Sequence, residues 1–398
     1  MIDTRIRHVV RSLSADYQTP YYLLDLVSME QACRRHISAW KSRFPYYRCA
    51  YSYKTNPLKR VTLMLKRAGA SAEVVSGMEL QWALSDGFLP RDIFFNGPAK
   101  TADEISHAVK LGVNLHIDSL DETNEVIRFG KRVKTKLQVL LRATTTRGQT
   151  TSRFGMNDRE LSISFRRLIA SGIGVRGIHF HIGSNLCDPA LYIHELFNLF
   201  PLLTNLQSAN KERPRLSLGG GFPAQSMNGT SGVTPIEDFA NAIADAFTSY
   251  GLSTDEVELV TEPGRSLVED FGYLVASVIR QKRRGQVRIA ILDAGTNLVR
   301  SISHWYHPVE FCRSASHRVT YEIQGHLCFE SDVFAVGIRG PRTLNRKDQI
   351  IIGSAGGYDI PSANIWGHPE PAILGLGAGG VVMIPRLGRV STGRHAGL

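Results

Sequence analysis

A lysine and a glutamate that could take part in the chemistry of a carbonyl compound follow short apolar runs in the first two thirds of the chain. Lys54 comes directly after "YRCAYSY", and Glu262 closes "VELVTE". A lysine in this position either reaches solvent along its aliphatic stem or, in low-dielectric surroundings, gives up its proton and forms a Schiff base. Glu262, followed by Pro-Gly-Arg, is consistent with a turn and a surface ion pair or with a carboxylate that binds a protonated ring nitrogen. The local sequence leaves these alternatives open.

A run of three glycines, Gly219, Gly220 and Gly221 in "LSLGGGFP", follows another apolar stretch. Glycines expose backbone N–H groups and allow a phosphate to approach closely, although a plain turn has the same composition. Ser184, in the Gly-Ser turn of "HFHIGSN", is a second candidate for phosphate binding. The run "GLGAGG" at 375–380 matches the dinucleotide pattern G-x-G-x-x-G, but strand-like "VVMIP" follows it instead of a helix, so no dinucleotide site is predicted.

His179 and His181 alternate in the strand-like "HFHIGSN" and therefore share one face. They could belong to a metal site, but no H-E-x-x-H motif or third ligand at a suitable spacing accompanies them, so no metal is predicted. Buried histidines, or one ring that stacks on a flat cofactor, explain the pair as well. An amine, a phosphate-binding glycine loop and a carboxylate together describe a site for pyridoxal 5′-phosphate (PLP).

The spacing of the apolar residues indicates how these groups are positioned. From about residue 46 to residue 262, eight β-rich runs alternate with amphipathic helical stretches, which predicts a closed (β/α)8 barrel. Lys54, Glu73 and Ser76, like the other candidates, then lie at strand ends, where such barrels carry their active sites. The following runs are strand-like and predict an all-β sandwich. The predicted domains are an N-terminal segment 1–24 that joins the β domain, a barrel 25–270 and a β-sandwich domain 271–398.

The bulk composition is that of an ordinary globular protein of 398 residues, with 43% hydrophobic and 21% charged residues. Five cysteines without a C-x-x-C pair predict free thiols and no zinc site. Because no apolar stretch is long enough for a membrane span and no signal peptide is evident, a cytoplasmic protein is expected. The net charge of +11 is spread along the chain, which predicts a solvated basic surface that binds no nucleic acid but could attract an anionic substrate or an acidic carrier protein.

The chain resembles the ornithine/diaminopimelate/arginine decarboxylases, PLP enzymes of the alanine-racemase fold, over nearly its whole length. The motifs that carry this resemblance occur in the family's order: "YSYKTNP", "AEVVSGMEL", "NGPAK", "SRFGM", "HFHIGSN", "LGGGFP", "EPGRSLV", "DAG", "CFESD" and "GGYD". The motif "EPGRS" is closest to that of the diaminopimelate decarboxylases. The resemblance implies a PLP-dependent amino-acid decarboxylase that forms a homodimer with active sites shared between its subunits.

The resemblance also implies a role for individual residues. Lys54 matches the lysine that forms the Schiff base with PLP, and Cys328 matches a thiol that one subunit supplies to protonate the substrate in its partner's active site. The residues implied in cofactor binding are Lys54, Glu73, His181, Ser184, Gly219, Gly220, Gly221, Glu262, Gly264, Arg265 and Tyr358. The residues implied in substrate binding are Arg265, Phe329, Glu330 and Tyr358.

Two residues depart from the family pattern. Phe329 stands where the diamino-acid decarboxylases have an acidic residue that binds the distal ammonium group, and Glu73 stands where Asp is usual. Glu330 is next to Phe329, but neighbouring side chains in an extended segment point to opposite sides. We therefore expect a diaminopimelate-decarboxylase-like enzyme that acts on a modified or carrier-linked amino acid in specialised metabolism.

Two alternatives remain at this point. If Glu330 or another acidic residue takes the place of the missing carboxylate, the protein is a true meso-diaminopimelate decarboxylase of lysine biosynthesis. A non-catalytic PLP-binding protein is the alternative from another class. The small barrel proteins of that kind lack the second domain and its cysteine, which argues against this alternative.

Overall fold

The computed structural model describes residues 2–132, 137–146, 152–209, 212–225 and 232–386. The chain divides into two compact units. The barrel unit comprises Glu30–Pro223 and Thr234–Leu267, and the β unit comprises Met1–Met29, Ala224–Val233 and Val268–Leu398. Within the described ranges, no helix is long and apolar enough to span a membrane.

A closed parallel barrel forms the centre of the barrel unit. The chain begins with helix α1 (Thr4–Leu13), strand β1 (Tyr21–Asp25) and helix α2 (Leu26–Lys41). The barrel strands then follow in sequence order: β2 (Tyr47–Ser52), β3 (Ser71–Val74), β4 (Ile93–Phe95), β5 (Asn114–Ile117), β6 (Gln138–Arg142), β7 (Gly174–His179), β8 (Arg215–Ser217) and β9 (Glu258–Thr261). Strand β9 pairs with β2 and closes the barrel. The predicted (β/α)8 barrel is confirmed.

A helix connects each pair of consecutive barrel strands. These helices are α3 (Lys59–Arg67), α4 (Gly77–Ser85), α5 (Ala102–Leu111), α6 (Leu120–Gly130), α7 (Asp158–Ala170), α8 (Ala190–Ala209) and α9 (Ile236–Ser249). The side chains of Ser76, Thr101, Ser119 and Asn157 cap α4 to α7 by accepting the backbone N–H three residues later. Ser76 and Ser119 follow the ends of β3 and β5 after one intervening residue, so the capping hydrogen bonds fix the direction in which the chain leaves these two strands.

The β unit is built around one mixed sheet. After helix α10 (Arg265–Val268) its elements are β10 (Gly272–Arg284), β11 (Val287–Leu292), β12 (Val309–Phe311), β13 (Arg318–Gln324), β14 (Val333–Pro341), β15 (Gln349–Ile352), helix α11 (Asp359–Ser362), β16 (Ala372–Gly377) and β17 (Gly380–Met383). The main strand order is β14-β13-β11-β10-β1-β16-β17, and β15 joins β10 to β12. Strand β1 therefore lies between β10 and β16, although it comes from the start of the chain.

Apolar side chains from both ends of the chain form the core of the β unit. Ile6 and Val10 of α1 pack in one cluster with Tyr21 of β1, Ile351 of β15 and Leu374 of β16. All five side chains are fully buried. Helix α1 is thus held by hydrophobic burial on the sheet that β1 completes.

The sequence pattern missed three strands of the β unit, namely β1, β12 and β16. Strand β16 was obscured because its glycines belong to "GLGAGG". Gly375 lies in β16, and a glycine is needed there because a Cβ would stand within 2.9 Å of Leu26 and Ile384. Gly380 begins β17 and has a φ of +107°. The glycine run therefore forms a β-hairpin, whose strand–turn–strand context agrees with the prediction that it is no dinucleotide site.

Candidate active site

Lys54 lies where strand β2 ends and the chain enters a short 3₁₀ turn, Tyr53–Thr55. Tyr53 and Thr55 are buried, whereas the Lys54 side chain is 41% exposed. Its Nζ donates a hydrogen bond of 2.6 Å to Oε2 of Glu73, a β3 residue whose side chain is 1% exposed. A buried carboxylate therefore holds this ammonium group in a charge-assisted hydrogen bond at the end of the barrel.

Glu262 follows strand β9, and three neighbouring groups donate hydrogen bonds to its buried carboxylate. Its Oε1 accepts hydrogen bonds from Nδ2 of Asn96 at 3.0 Å and from Oγ of Ser217 at 2.8 Å. Its Oε2 lies 3.2 Å from Nε2 of His179. Because all of these contacts use it as an acceptor, the carboxylate is matched to one further N–H donor, such as a protonated ring nitrogen.

The hydrogen bonds around Glu262 assign the tautomers of two buried histidines. Burial lowers the pKa of both His116 and His179 well below the ordinary value, so both rings are neutral. His179 uses Nε2–H toward Glu262, and His116 uses Nδ1–H toward Oδ1 of Asn96 at 2.5 Å. The amide of Asn96 therefore links His116 to Glu262 through one accepted and one donated hydrogen bond.

His116, His179 and Glu262 lie close enough together to be considered as metal ligands. Ligand atoms of His116, His179 and Glu262 lie within 4.8 Å of one another, and His181 is not part of this group. Nε2 of His179 donates its proton to Glu262 and Nδ1 of His116 donates to Asn96, so these two atoms are not free to bind a cation. Nε2 of His116 and Nδ1 of His179 have no hydrogen-bond partner among the described residues. We therefore interpret the group as a hydrogen-bonded cluster that holds the Glu262 carboxylate.

The glycine loop after β8 fixes the ring of His181. The N–H of Gly220 donates a hydrogen bond of 3.1 Å to Nδ1 of His181, and burial lowers the pKa of His181 to about 4. The ring is therefore neutral near pH 7, with its proton on Nε2. Gly219 has a φ of +64°, and a Cβ there would stand 2.6 Å from the carbonyl oxygen of Phe180. Only glycine fits between this loop and the histidine.

The barrel unit brings the other predicted residues to the same strand ends. The turn that carries Ser184, an exposed residue, is joined to the glycine loop because the N–H of Leu186 donates to the carbonyl of Gly221. A Cβ on Gly264 would overlap the side chain of Thr55, the residue after Lys54. Arg265 begins α10 and is partly buried.

Cys328, Phe329, Glu330 and Tyr358 belong to the β unit. Cys328, Phe329 and Glu330 are exposed in a turn that follows β13. These residues form a bend and a turn instead of an extended segment, so the argument from alternating side chains does not apply to Phe329 and Glu330. Tyr358 precedes α11 with a φ of +67°, a left-handed conformation that is unfavourable for a tyrosine.

The sequence analysis did not identify several buried polar residues at the barrel end. These are Asn96, His116 and Ser217 around Glu262, together with the ion pairs Lys100–Glu122 at 3.0 Å and Arg142–Asp118 at 3.0 Å. Each of the first three lies in or just after a barrel strand. A search for polar residues at the carboxyl ends of all eight strands would have found them.

The residues present fit PLP, a flat pyridine ring with an aldehyde and a phosphate. Lys54 offers an amine, Glu262 offers an acceptor for the ring N–H, and the neutral His181 offers a flat ring face. The glycine loop has no side chains that would block a phosphate, and it is packed against both His181 and Glu262. The donor set is thus that of a PLP site.

Comparisons with known proteins agree with this set of groups. A family model described as "Pyridoxal-dependent decarboxylase, pyridoxal binding domain" matches residues 30–269. The diaminopimelate decarboxylase of Methanocaldococcus jannaschii is 28% identical over 376 residues, which cover 88% of this chain and 84% of that protein. The diaminopimelate decarboxylase of Deinococcus radiodurans is 29% identical over 373 residues, which cover 92% of each.

The similarity extends to the three-dimensional structure. A crystal structure of the M. jannaschii diaminopimelate decarboxylase in co-complex with L-lysine has a TM-score of 0.85 to this chain at 26% identity. The match covers 94% of this chain and 91% of that chain. The likeness therefore includes elements of both units.

The first prediction concerns the protonation of His181. With a pKa of about 4, its ring stays mainly neutral from pH 8 down to pH 5, and its Nε2–H tautomer is the major form. Because an unfolded histidine has a pKa of about 6.5, the stability that this ring contributes is complete above pH 6.5 and is lost as the pH falls toward 4.

Histidine ring ¹⁵N NMR of the isotopically labelled protein measures this directly, with His181→Gln used to assign the signal. A His181 ring that becomes protonated with a midpoint near pH 6.5 would contradict the prediction. The unfolding free energy of His181→Gln should also fall less steeply than that of the wild type between pH 6.5 and pH 5.

Proposed function

Because the chain belongs to the pyridoxal-dependent decarboxylase family, we propose that it releases CO2 from an amino acid whose side chain does not end in a free ammonium group. Membership in the family confirms the predicted enzyme class and the PLP cofactor, so the non-catalytic alternative is not retained. The observation that carries the proposed site is the presence, at one barrel end, of Lys54 held by a buried carboxylate and of Glu262 held by three donors.

The residues of the barrel unit divide the work of binding and proton control. When bound, PLP supplies an electron-withdrawing ring that accepts the electrons left on the α carbon as CO2 departs. Lys54 would be the amine that holds the cofactor until a substrate amine takes its place. Glu262 would keep a proton on the ring nitrogen, because its carboxylate serves only as an acceptor toward its three donors. His181 would offer its flat ring face to the cofactor, and the glycine loop would bind the phosphate.

On this proposal the active form is a homodimer in which each protomer completes the other's site. Cys328 returns a proton to the α carbon in the active site of the partner. The support is its position: the thiol is exposed on a turn that Asp332 holds by accepting the N–H of Leu327 at 2.7 Å. An exposed thiol on an ordered turn is suited to a site that another surface completes.

Phe329 supports the substrate part of the proposal. A distal ammonium group needs an anionic partner when it is removed from water, and the position after Cys328 carries a phenyl ring instead. A neutral, acylated or carrier-linked side chain carries no such requirement. The net charge of +11 favours the approach of an acidic carrier protein that would present a tethered substrate.

A true meso-diaminopimelate decarboxylase is the second candidate. It is supported by the names of the relatives and by the exposed Glu330, because the alternation of side chains in an extended segment does not hold in this turn. The distal ammonium group of diaminopimelate would then be bound by Glu330 or by another acidic group. Substrate kinetics separate the two candidates.

The second prediction is that Lys54 holds PLP covalently. The purified wild type should be yellow, and borohydride should fix the cofactor to the protein, whereas Lys54→Ala should retain none after reduction and denaturation. Lys59→Ala, which removes an exposed lysine at the start of α3, is the matched control and should behave as wild type. Covalent PLP in reduced Lys54→Ala, found by mass spectrometry, would show that another amine holds the cofactor.

Glu262→Gln should keep the yellow colour of the bound cofactor and lose most of kcat, because an amide supports the protonated ring nitrogen less well than a carboxylate. An unchanged kcat would contradict this role of Glu262.

The third prediction is that Cys328 acts across a dimer. Cys328→Ala should slow turnover and leave the absorbance of the bound cofactor unchanged, and Ser331→Ala on the same turn should have no effect. Mixing Lys54→Ala with Cys328→Ala subunits should restore about a quarter of wild-type activity, since half of randomly mixed dimers are hybrids with one intact site. Absence of recovery, with hybrids demonstrated by native mass spectrometry, would count against a shared site.

The fourth prediction is that free diamino acids are poor substrates. An unpaired ammonium group in a desolvated site costs about 3–5 kcal/mol, on the order of several hundredfold or more in kcat/KM. Steady-state CO2 release should therefore be low for meso-diaminopimelate, ornithine and lysine, and Phe329→Glu should raise it. Efficient turnover of meso-diaminopimelate by the wild type would reject this substrate assignment in favour of the second candidate.

A further inference from the structure

Two aromatic pairs join the turn that carries Cys328 to a second loop of the β unit. The rings of Phe329 and Trp366 have centroids 5.5 Å apart at an angle of 54°. The rings of His326 and His368 stack with centroids 3.7 Å apart. Phe329, the residue after Cys328, is 39% exposed and Trp366 is 59% exposed, so this aromatic pair is accessible to solvent.

Buried polar groups hold both loops in place. The carboxylate of Asp332 accepts the N–H of Thr296 at 2.7 Å and the N–H of Leu327 at 2.7 Å. The side chain of Asn297, one residue after Thr296, donates to the carbonyl of Asn364 at 2.6 Å. One short segment therefore fixes both loops, and the Phe329–Trp366 pair is arranged before any ligand arrives.

Trp366 adopts a backbone conformation that a tryptophan rarely occupies. Its φ is +42°, in the left-handed region, and Gly367 continues there with a φ of +76°. A bulky residue in this region is strained, and such strain is found where the position of a side chain matters for function. Because the indole ring of Trp366 is exposed, packing of the loop does not account for this strain, and a role in binding does.

The two loops and the segment that fixes them carry three buried polar atoms that lack a partner among the described residues. These are Oδ1 of Asn297, Oδ1 of Asn364 and Nε2 of His326. Burial and the neighbouring His368 lower the pKa of His326, which keeps its ring neutral. The two Oδ1 atoms can each accept an N–H, and an orphaned acceptor of this kind is normally satisfied by a ligand or water.

We propose that Phe329 and Trp366 form a binding site for the far end of the substrate side chain, and that this end is a neutral planar carboxamide or N-acyl group. A planar amide lies against aromatic faces and offers an N–H to an unpartnered acceptor, whereas an ammonium ion would find ring faces and no carboxylate built into the pair. Cation–π attraction at such exposed rings is weak. This inference rests on the proposed function, because it places the Cys328 turn at the active site.

The test compares two product-like amines on the PLP-loaded protein. N-acetylcadaverine ends in an amide and cadaverine ends in an ammonium group, and isothermal titration calorimetry measures the Kd of each. The wild type should bind N-acetylcadaverine at least about tenfold more tightly than cadaverine. Trp366→Ala should lose this preference and Trp366→Phe should keep most of it. Trp366→Gly, which suits the left-handed backbone, serves as a second ring-deletion variant if Trp366→Ala folds poorly.

Phe197→Ala is the control, because Phe197 is an aromatic residue of the barrel unit that is 42% exposed and contacts two other rings. It should retain the wild-type preference. Equal or tighter binding of cadaverine by the wild type would overturn the proposal. So would an unchanged preference in Trp366→Ala, and if sedimentation then showed Trp366→Ala to be monomeric, the ring pair would be a contact between two copies of the chain instead.

Decarboxylation separates this inference from the proposed function. If Trp366 governs the binding of N-acetylcadaverine but no CO2 is released from Nε-acetyl-lysine or other neutral-ended amino acids, the proposed substrate class fails and the binding site stands. If CO2 is released from Nε-acetyl-lysine with the same kcat/KM in wild type and Trp366→Ala, the binding site fails and the proposed function stands.

Discussion

The buried carboxylate of Glu262 is the constraint on which the arrangement of the barrel end depends. An anion at the end of a closed barrel needs donors in place of water. Those donors come from three other strand ends, through Asn96 after β4, His179 in β7 and Ser217 in β8. A register shift of one residue in any of these strands would turn its donor away from the carboxylate, so the hydrogen bonds and the parallel ladders specify the same geometry.

The neighbouring histidines increase the need of Glu262 for hydrogen-bond donors, because they do not compensate its charge. His116 and His179 are neutral because burial lowers the pKa of each ring, so neither cancels the negative charge of Glu262. Each instead uses one N–H to orient an acceptor. The positive charge of Lys54 is matched separately by Glu73. The barrel end thus gives its two carboxylates different partners: Glu73 pairs with the amine of Lys54, and Glu262 accepts hydrogen bonds from neutral groups only.

The sequence predicted the barrel because each of its strands is a short apolar run followed by an amphipathic helix, a local pattern that needs no knowledge of distant contacts. Lys54 and Glu262 were found for the same reason, since each directly follows such a run. Asn96 was missed because its partner lies 166 residues away, and no local signal joins the two. The turn at Phe329 and the ring contact with Trp366 were missed because they depend on a loop whose shape is fixed by Asp332 and Asn297. Strand β1 was missed because it pairs with strands that lie about 250 and 350 residues later in the sequence, and no local pattern indicates such pairing.

Because the partners of β1 come much later in the sequence, β1 must wait for them during synthesis on the ribosome. Strand β1, Tyr21–Asp25, pairs with β10 and with β16, and the β16 residues opposite it are Ala372–Leu376. At about 5–20 residues per second, roughly 20 to 70 s pass between the emergence of β1 and the emergence of β16. The barrel strands, which lie between them in sequence, emerge complete during that interval. Both edges of β1 therefore stay unpaired while the barrel strands emerge, because β10 also follows β9, and the edge that pairs with β16 waits longest. Chaperone protection of these edges has its greatest value in this window.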